Sequence, residues 1–243
     1  MPGRNAFSEA ERAAVYRAIF ERRDVRSQFR PDPIPDDVLA RLLKAAHHAP
    51  SVGFMQPWRF IIVRDRARRE AVHALFSRAN AAAGQSYTDA DTRSSYASLK
   101  LAGILDTPLN LCIVCDADSS RGRGLGRATM PEMSLYSTVC AVQNLWLAAR
   151  AEGVGVGWVS IVEPDELCRT LEVPEHLRLI AYLCVGYVSH FEDQPELATR
   201  RWETRADLSE LLHFDSFGEQ DGQRARALLD AGRPEGSGNR TSR

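Results

Sequence analysis

Gly153-Val154-Gly155-Val156-Gly157-Trp158-Val159-Ser160 decides the fold class through what stands before it. A G-x-G-x-G run can serve a dinucleotide, but only where it joins a strand to a helix whose N-terminus meets a pyrophosphate. Here the run follows a helix. Pro131 to Arg150 carries Leu135, Val139, Val142, Leu145, Trp146 and Ala149 along one line, with Ala141 and Ala148 on other faces. A helix apolar on most sides belongs at the centre of a core. The glycines therefore let backbone approach a ligand or a packed helix closely, and residues 153–160 lead into or form a strand.

Reading outward from this point, Leu179 to Val188 is a second strand downstream, with a short helix near Asp165 to Leu171 between them. Upstream, Leu109 to Cys115 reads as a buried strand, and Phe60 to Val63 is a short apolar run with β-branched residues, the mark of another. A charged helix spans about Arg66 to Ala82. Val38, Leu39, Leu42, Leu43 and Ala46 recur at helical spacing after Pro35, and Pro50 disfavours helix at Ala49. Ser8-Glu9-Ala10-Glu11 has the form of a capping box and opens a helix with Ala14, Val15, Ala18 and Ile19 on one stripe, running to about Arg22. Two helices precede the first strand, and strict β–α–β alternation is missing there. The fold class is α+β.

Composition narrows the function classes. The 243 residues suit one substantial core, and 31 basic against 32 acidic residues give a net charge of −1. Such a balance offers no general attraction for nucleic acid or an anionic membrane, so any bound anion needs a local basic cluster. No apolar run is long enough to span a bilayer. The polar start, Met1 to Arg12, does not resemble a secretory signal, and the expected location is cytoplasmic. Cys112 and Cys115 sit at i and i+3 of a strand and face opposite ways. With no second pair to complete a zinc site, they read as core, and no metal is expected.

Three constellations could carry chemistry. Arg22-Arg23-Asp24-Val25-Arg26 groups three guanidiniums that can converge on a phosphate; alternatively they are solvated charges at a helix C-terminus. Asp24 is a salt-bridge partner or a carboxylate aimed into a pocket. Ala49-Pro50-Ser51-Val52-Gly53-Phe54-Met55-Gln56-Pro57-Trp58 offers small residues, a hydroxyl, an amide and aromatics. That set suits an amphipathic ligand with a planar ring, or a packed structural loop. Residues 153–160 are the third. Gly122-x-Gly124-x-Gly126 has no supporting context, His47 and His48 read as structural, and no hydrolase arrangement surrounds Ser160. Residues 84–98, polar with two tyrosines, read as a surface or moving segment.

Together these constellations resemble the nitroreductase superfamily of FMN proteins, over about Phe7 to Phe217. The string Leu135-Tyr136-Ser137-Thr138-Val139-Cys140-Ala141-Val142-Gln143-Asn144-Leu145-Trp146 adds to the likeness. The details are closest to a flavin-fragmenting branch, which has an aspartate in the arginine cluster, here Asp24, and a serine after the glycine-rich stretch, here Ser160. Ser51-Val52-Gly53-Phe54-Met55-Gln56 matches that branch as well. The resemblance implies a nitroreductase-like FMN fold, with a central mixed sheet flanked by helices around a long buried helix. It also implies a domain over 7–217 and a disordered tail over 218–243. Reduced FMN would be bound as substrate and consumed with dioxygen as co-substrate, giving 5,6-dimethylbenzimidazole, the lower ligand of cobalamin, and erythrose 4-phosphate.

In the roles implied by the resemblance, Asp24 is a base or proton relay near the ribityl C1′, and Ser160 hydrogen-bonds the flavin and assists proton transfer. Arg22, Arg23 and Arg26 fix the phosphate end, with Arg205 as helper. Ser51 and Gln56 bind the polar edge or ribityl hydroxyls, Met55 packs near the ring, and Gly53 and Gly157 admit the flavin to the backbone. Residues 84–101 fall where the branch has a lid, with Ala102 in place of a more polar lid residue. The expected partners are a second copy of the chain, with flavin sites at the homodimer interface, and a separate flavin reductase. The rival readings are a conventional NAD(P)H-dependent FMN nitroreductase or quinone reductase, and a non-catalytic flavin-binding protein.

Overall fold

The computed structural model describes residues 5–232. Within them the chain divides into two compact units, one ending at Glu196 and the other beginning at Leu197. The boundary thus falls before residue 217, where the sequence reading ends its single domain.

The first unit is built around four strands, β1 (Trp58–Val63), β2 (Leu109–Cys115), β3 (Val154–Val159) and β4 (Arg178–Tyr187). Their order is β1-β2-β4-β3, and each neighbouring pair is antiparallel. The parallel component of the expected mixed sheet is a single bridge between Asp24 and Val156 at the open edge of β3. Six helices accompany the sheet: α1 (Glu9–Glu21), α2 (Asp36–His47), α3 (Arg66–Ser86), α4 (Ala90–Ala97), α5 (Met133–Ala151) and α6 (Pro164–Thr170).

Strand periodicity explains why both faces of the sheet are covered. Every residue of β2 is buried. Leu109, Leu111 and Ile113 join α2 and α5 in one apolar cluster, whereas Cys112 and Val114 join Val72 and Phe76 of α3 and Leu167 of α6 in another. The two cysteines do lie on opposite faces: the Cys115 thiol bonds Thr138 of α5, while Cys112 packs on the other side. Burial raises the Cys112 and Cys184 thiols from 9.0 to about 12, because a thiolate is poorly solvated there. Among the described residues no group of His, Cys, Asp and Glu side chains is arranged to hold a metal.

Helix α1 has the expected capping box, with Ser8 Oγ accepting from the Glu11 N–H and the Glu11 carboxylate accepting from the Ser8 N–H. Its apolar stripe does not enter the core, however, and Val15, Tyr16, Ile19 and Phe20 are all exposed. Helix α5 is the central helix, with eight buried residues, yet Tyr136 and Val139 on one side remain exposed.

Two polar stretches are more ordered than their composition implies. Residues 84–98 contain the end of α3 and all of α4, which Asp89 caps by accepting from the Thr92 N–H. Tyr96 is buried there and donates to Asn80 Oδ1 at 2.7 Å. That aromatic anchor is what the surface-segment reading of 84–98 misses. The short α7 (Glu196–Thr199) begins at the last residue of the first unit, and in the second unit α8 spans Gly222–Ala231. Helix α8 corrects the expectation of a disordered tail from 218. Asp221 caps it at the Gln223 and Arg224 N–H groups, Ala225 is buried, and Arg224 lies over the Phe214 ring. Residues 233–243 of that expected tail lie outside the described residues.

Candidate functional site

The arginine-rich segment leaves α1 and crosses the open edge of β3. The Val25 N–H donates to the Val156 carbonyl at 3.0 Å, and the Trp158 N–H donates to Asp24 Oδ1 at 3.0 Å. Asp24 Oδ2 accepts from Arg26 Nη2 at 2.7 Å. The carboxylate is thus held between a backbone donor of β3 and a guanidinium, with its side chain 31% exposed. Each oxygen keeps a second lone pair, so a half-exposed acceptor remains at a fixed place.

The glycines of β3 exist for this crossing. A Cβ on Gly157 would fall on the Val25 carbonyl, and one on Gly155 would meet Val188 at 2.5 Å and Val25 at 3.1 Å. The space that a side chain at Gly157 would take is thus filled by the chain's own backbone. Ser160 lies just past the end of β3, exposed, two residues beyond the Trp158 N–H that holds Asp24.

The three arginines do different things. Arg22 lies over the Trp146 ring at 4.7 Å from its centroid, and Trp146 in turn packs on Trp158 at 6.2 Å. Arg26 holds Asp24. Arg23 donates to the carbonyls of Phe20, Arg22, Glu192 and Asp193, while the Trp146 indole donates to the Arg23 carbonyl. With four carbonyls on it, the Arg23 guanidinium is a structural tie between the end of α1 and residues 192–193. Convergence of all three on one phosphate is not the arrangement seen, and Arg26 is paired with Asp24.

The second constellation is a loop seated on α5. The Val52 N–H donates to Ser137 Oγ, and the Gln56 N–H donates to Ser51 Oγ, both at 3.1 Å. Met55 is buried and accepts from Ser134 Oγ through its sulfur at 3.5 Å. The Met55 side chain therefore points into the core against α5, whereas the sequence reading puts it on a ligand ring. Three of the four positions from 53 to 56 have left-handed backbone: Gly53 (φ 54°), Phe54 (φ 55°) and Gln56 (φ 51°). Non-glycine residues rarely adopt that region without a local reason. A Cβ on Gly53 would lie 2.9 Å from the Gly122 carbonyl, so Gly53 is occupied by the turn at 121–126 and not by open space. That turn, the glycine run without context in the sequence, is the structural neighbour of the loop that sequence reasoning misses. The signal was its unusual density of glycines, which has meaning only once Gly53 is placed opposite.

His47 accepts from the Trp58 indole at 3.1 Å and is structural, as its sequence setting implies. Arg205 belongs to the second unit, where it is exposed.

With this geometry in place, comparison with known proteins is specific. A model of the Nitroreductase family matches residues 19–187. A 5,6-dimethylbenzimidazole synthase of Rhodospirillum rubrum is 48% identical over 189 residues, covering 77% of this chain and 89% of that protein. A protein of the same name from Rhodobacter capsulatus is 43% identical over 197 residues, covering 81% and 94% respectively. Among solved structures, oxidised iodotyrosine deiodinase with FMN and 3-iodo-L-tyrosine superposes with a TM-score of 0.67. That match covers 84% of this chain and all of the deiodinase chain at 22% identity, a likeness of fold.

Proposed function

The chain belongs to the nitroreductase family, and from that premise we propose that it is a 5,6-dimethylbenzimidazole synthase, fragmenting reduced FMN in a dioxygen-dependent reaction. FMN is then a substrate that is consumed, and the products are 5,6-dimethylbenzimidazole and erythrose 4-phosphate. The observation that carries this reading is the placement of Asp24: a carboxylate fixed at the edge of β3 by the Trp158 N–H and Arg26, in a chain 48% identical to a relative of that name.

The donor chemistry fits FMN. Arg22 and Arg26 supply positive charge for a phosphate beside the Asp24 carboxylate. Ser51 and Gln56 supply a hydroxyl and an amide for a polar ring edge or ribityl hydroxyls. Arg23, tied to four carbonyls, acts on this site by fixing the segment. Reduced FMN itself provides the electrons for reaction with dioxygen. The protein must orient it, exclude water from the reacting ring and move protons.

Asp24 is suited to accepting a proton from the ribityl C1′. Arg26 and the Trp158 N–H hold the carboxylate in place and leave each oxygen a lone pair that can accept a proton. Ser160, just beyond the same strand, passes a proton onward or bonds the flavin in this reading. In this reading 84–101 is the region that closes over the ring.

A homodimer with flavin sites at its interface is part of the proposal. It is supported by the exposed apolar residues Val15, Tyr16, Ile19 and Phe20 on α1 and Tyr136 and Val139 on α5, surfaces that a partner would cover. A separate flavin reductase would supply reduced FMN, and a cytoplasmic location suits such a pair.

The test is chromatography of an aerobic incubation with FMN kept reduced by an external reductase. 5,6-Dimethylbenzimidazole is expected from the wild type. Asp24→Asn keeps the acceptor for the Trp158 N–H but removes the base, and it is expected to lower product formation by on the order of 100-fold or more. Equal product from Asp24→Asn would remove Asp24 from the chemistry.

A further inference from the structure

We infer that Arg121 is a positioning residue for the flavin site, acting through Gln56, and that the turn at 121–126 is the clasp that carries it. The inference rests on the FMN reading above.

The turn and the 51–56 loop interlock through mutually missing side chains. A Cβ on Gly53 would stand 2.9 Å from the Gly122 carbonyl, and one on Gly122 would stand 2.6 Å from the Gly53 carbonyl and 3.0 Å from Met55 Cβ. A Cβ on Gly126 would meet Val52 Cγ2 at 2.8 Å. Gly122, Gly124 and Gly126 all have positive φ, as does Arg123 at 51°. The two loops approach this closely only because glycine stands at each crossing.

The contact fixes more than backbone. Gln56 is a non-glycine residue at positive φ, with its N–H held by Ser51 Oγ and Met55 beside it anchored in the core. These ties leave its side-chain amide undetermined. Arg121 Nη2 donates to Gln56 Oε1 at 3.0 Å. A guanidinium only donates, so it selects the oxygen end of the amide and turns Nε2 the other way. Among the described residues Gln56 Nε2 has no protein acceptor. An oriented amide N–H₂ on a loop already held in left-handed backbone is what a carbonyl of a planar heterocycle would meet. Arg121 thus sets which end of Gln56 faces the ligand.

A double-mutant cycle on binding of oxidised FMN tests this. FMN would be titrated into wild type, Arg121→Met, Gln56→Leu and the double variant, following flavin fluorescence and visible absorbance. Each single substitution is expected to weaken binding by about five- to tenfold, the scale of one lost hydrogen bond. The double variant should bind no more weakly than Gln56→Leu. Arg121→Gln, whose amide can still donate to Oε1, should recover part of the loss. If the two losses multiply in the double variant, or if Arg121→Met binds like wild type, the inference is overturned. Should Arg121→Met not fold, judged by its melting curve, Arg121→Gln and its double with Gln56→Leu take its place in the cycle. Wild type that binds FMN with this coupling but returns it intact would sink the fragmentation reading and leave the Arg121 assignment standing. Wild type that binds no FMN would overturn both.

Discussion

Two places in this molecule depend on glycine for close approach of backbone to backbone, and they differ in what the glycine supplies. At the β3 edge, Gly155 and Gly157 are buried in extended strand and make room for the segment that presents Asp24. At the loop clasp, Gly53 and Gly122 lie nearer the surface and supply positive φ as well as space. The first arrangement is locked by the sheet and both apolar layers. The second is locked by a few loop contacts. A buried strand edge sets the Asp24 carboxylate, and a softer clasp sets the Gln56 amide.

The largest effect should come from the strand edge. Gly157→Ala would drive a methyl into the Val25 carbonyl, where neither β3 nor the crossing segment can yield cheaply. We expect a loss of about 3 kcal/mol or more in unfolding free energy by denaturant titration. A near-neutral result would show that the crossing can shift, and the comparison would lose its rigid member.

Second comes alkaline pH, which addresses only the buried side. Cys112 and Cys184 are raised by burial from 9.0 to about 12 in the folded protein, so their contribution is full below pH 9. As pH rises from 9 towards 12 the unfolded chain loses these thiol protons first and stability falls. Denaturation midpoints between pH 8 and pH 10.5 should decline, and Cys184→Ala should flatten the decline. An unchanged slope in that variant would mean that the thiol is not held neutral by the core.

The clasp should respond more mildly. Gly53→Ala combines a φ of 54° with a 2.9 Å approach to the Gly122 carbonyl, yet both loops can move at the surface. A loss of about 1–2 kcal/mol is expected in the same denaturant assay, together with weakened FMN binding. If Gly53→Ala destabilised as much as Gly157→Ala, the distinction between the two regions would fail.

Much of this was legible in the sequence, and the reasons for success and failure are physical. The strands announced themselves because residues buried on both faces must be largely apolar, as Leu109 to Cys115 is but for Asn110. Helix α5 was readable from its period, and α1 from a local capping box. What failed were features set by tertiary partners. Gly157 was visible as a glycine, but Val25, more than 130 positions away, supplies its reason. Arg23 looked like an anion donor because sequence does not reveal the carbonyls of residues 192 and 193. Residues 84–98 and 222–231 read as loop and tail because their polar composition hid one buried anchor each, Tyr96 and Ala225. The link from Arg121 to Gln56 crosses 65 positions and no local pattern marks it.

The central claim is that FMN is consumed at the site organised around Asp24. Its most direct measurement is a flavin balance: total FMN before and after an aerobic incubation with an external reductase, set against 5,6-dimethylbenzimidazole formed. The account predicts that flavin disappears in proportion to product over many turnovers, and that both changes vanish without dioxygen. Complete recovery of intact flavin after sustained reduction and reoxidation would contradict it, and FMN would then be a cofactor of a conventional oxidoreductase.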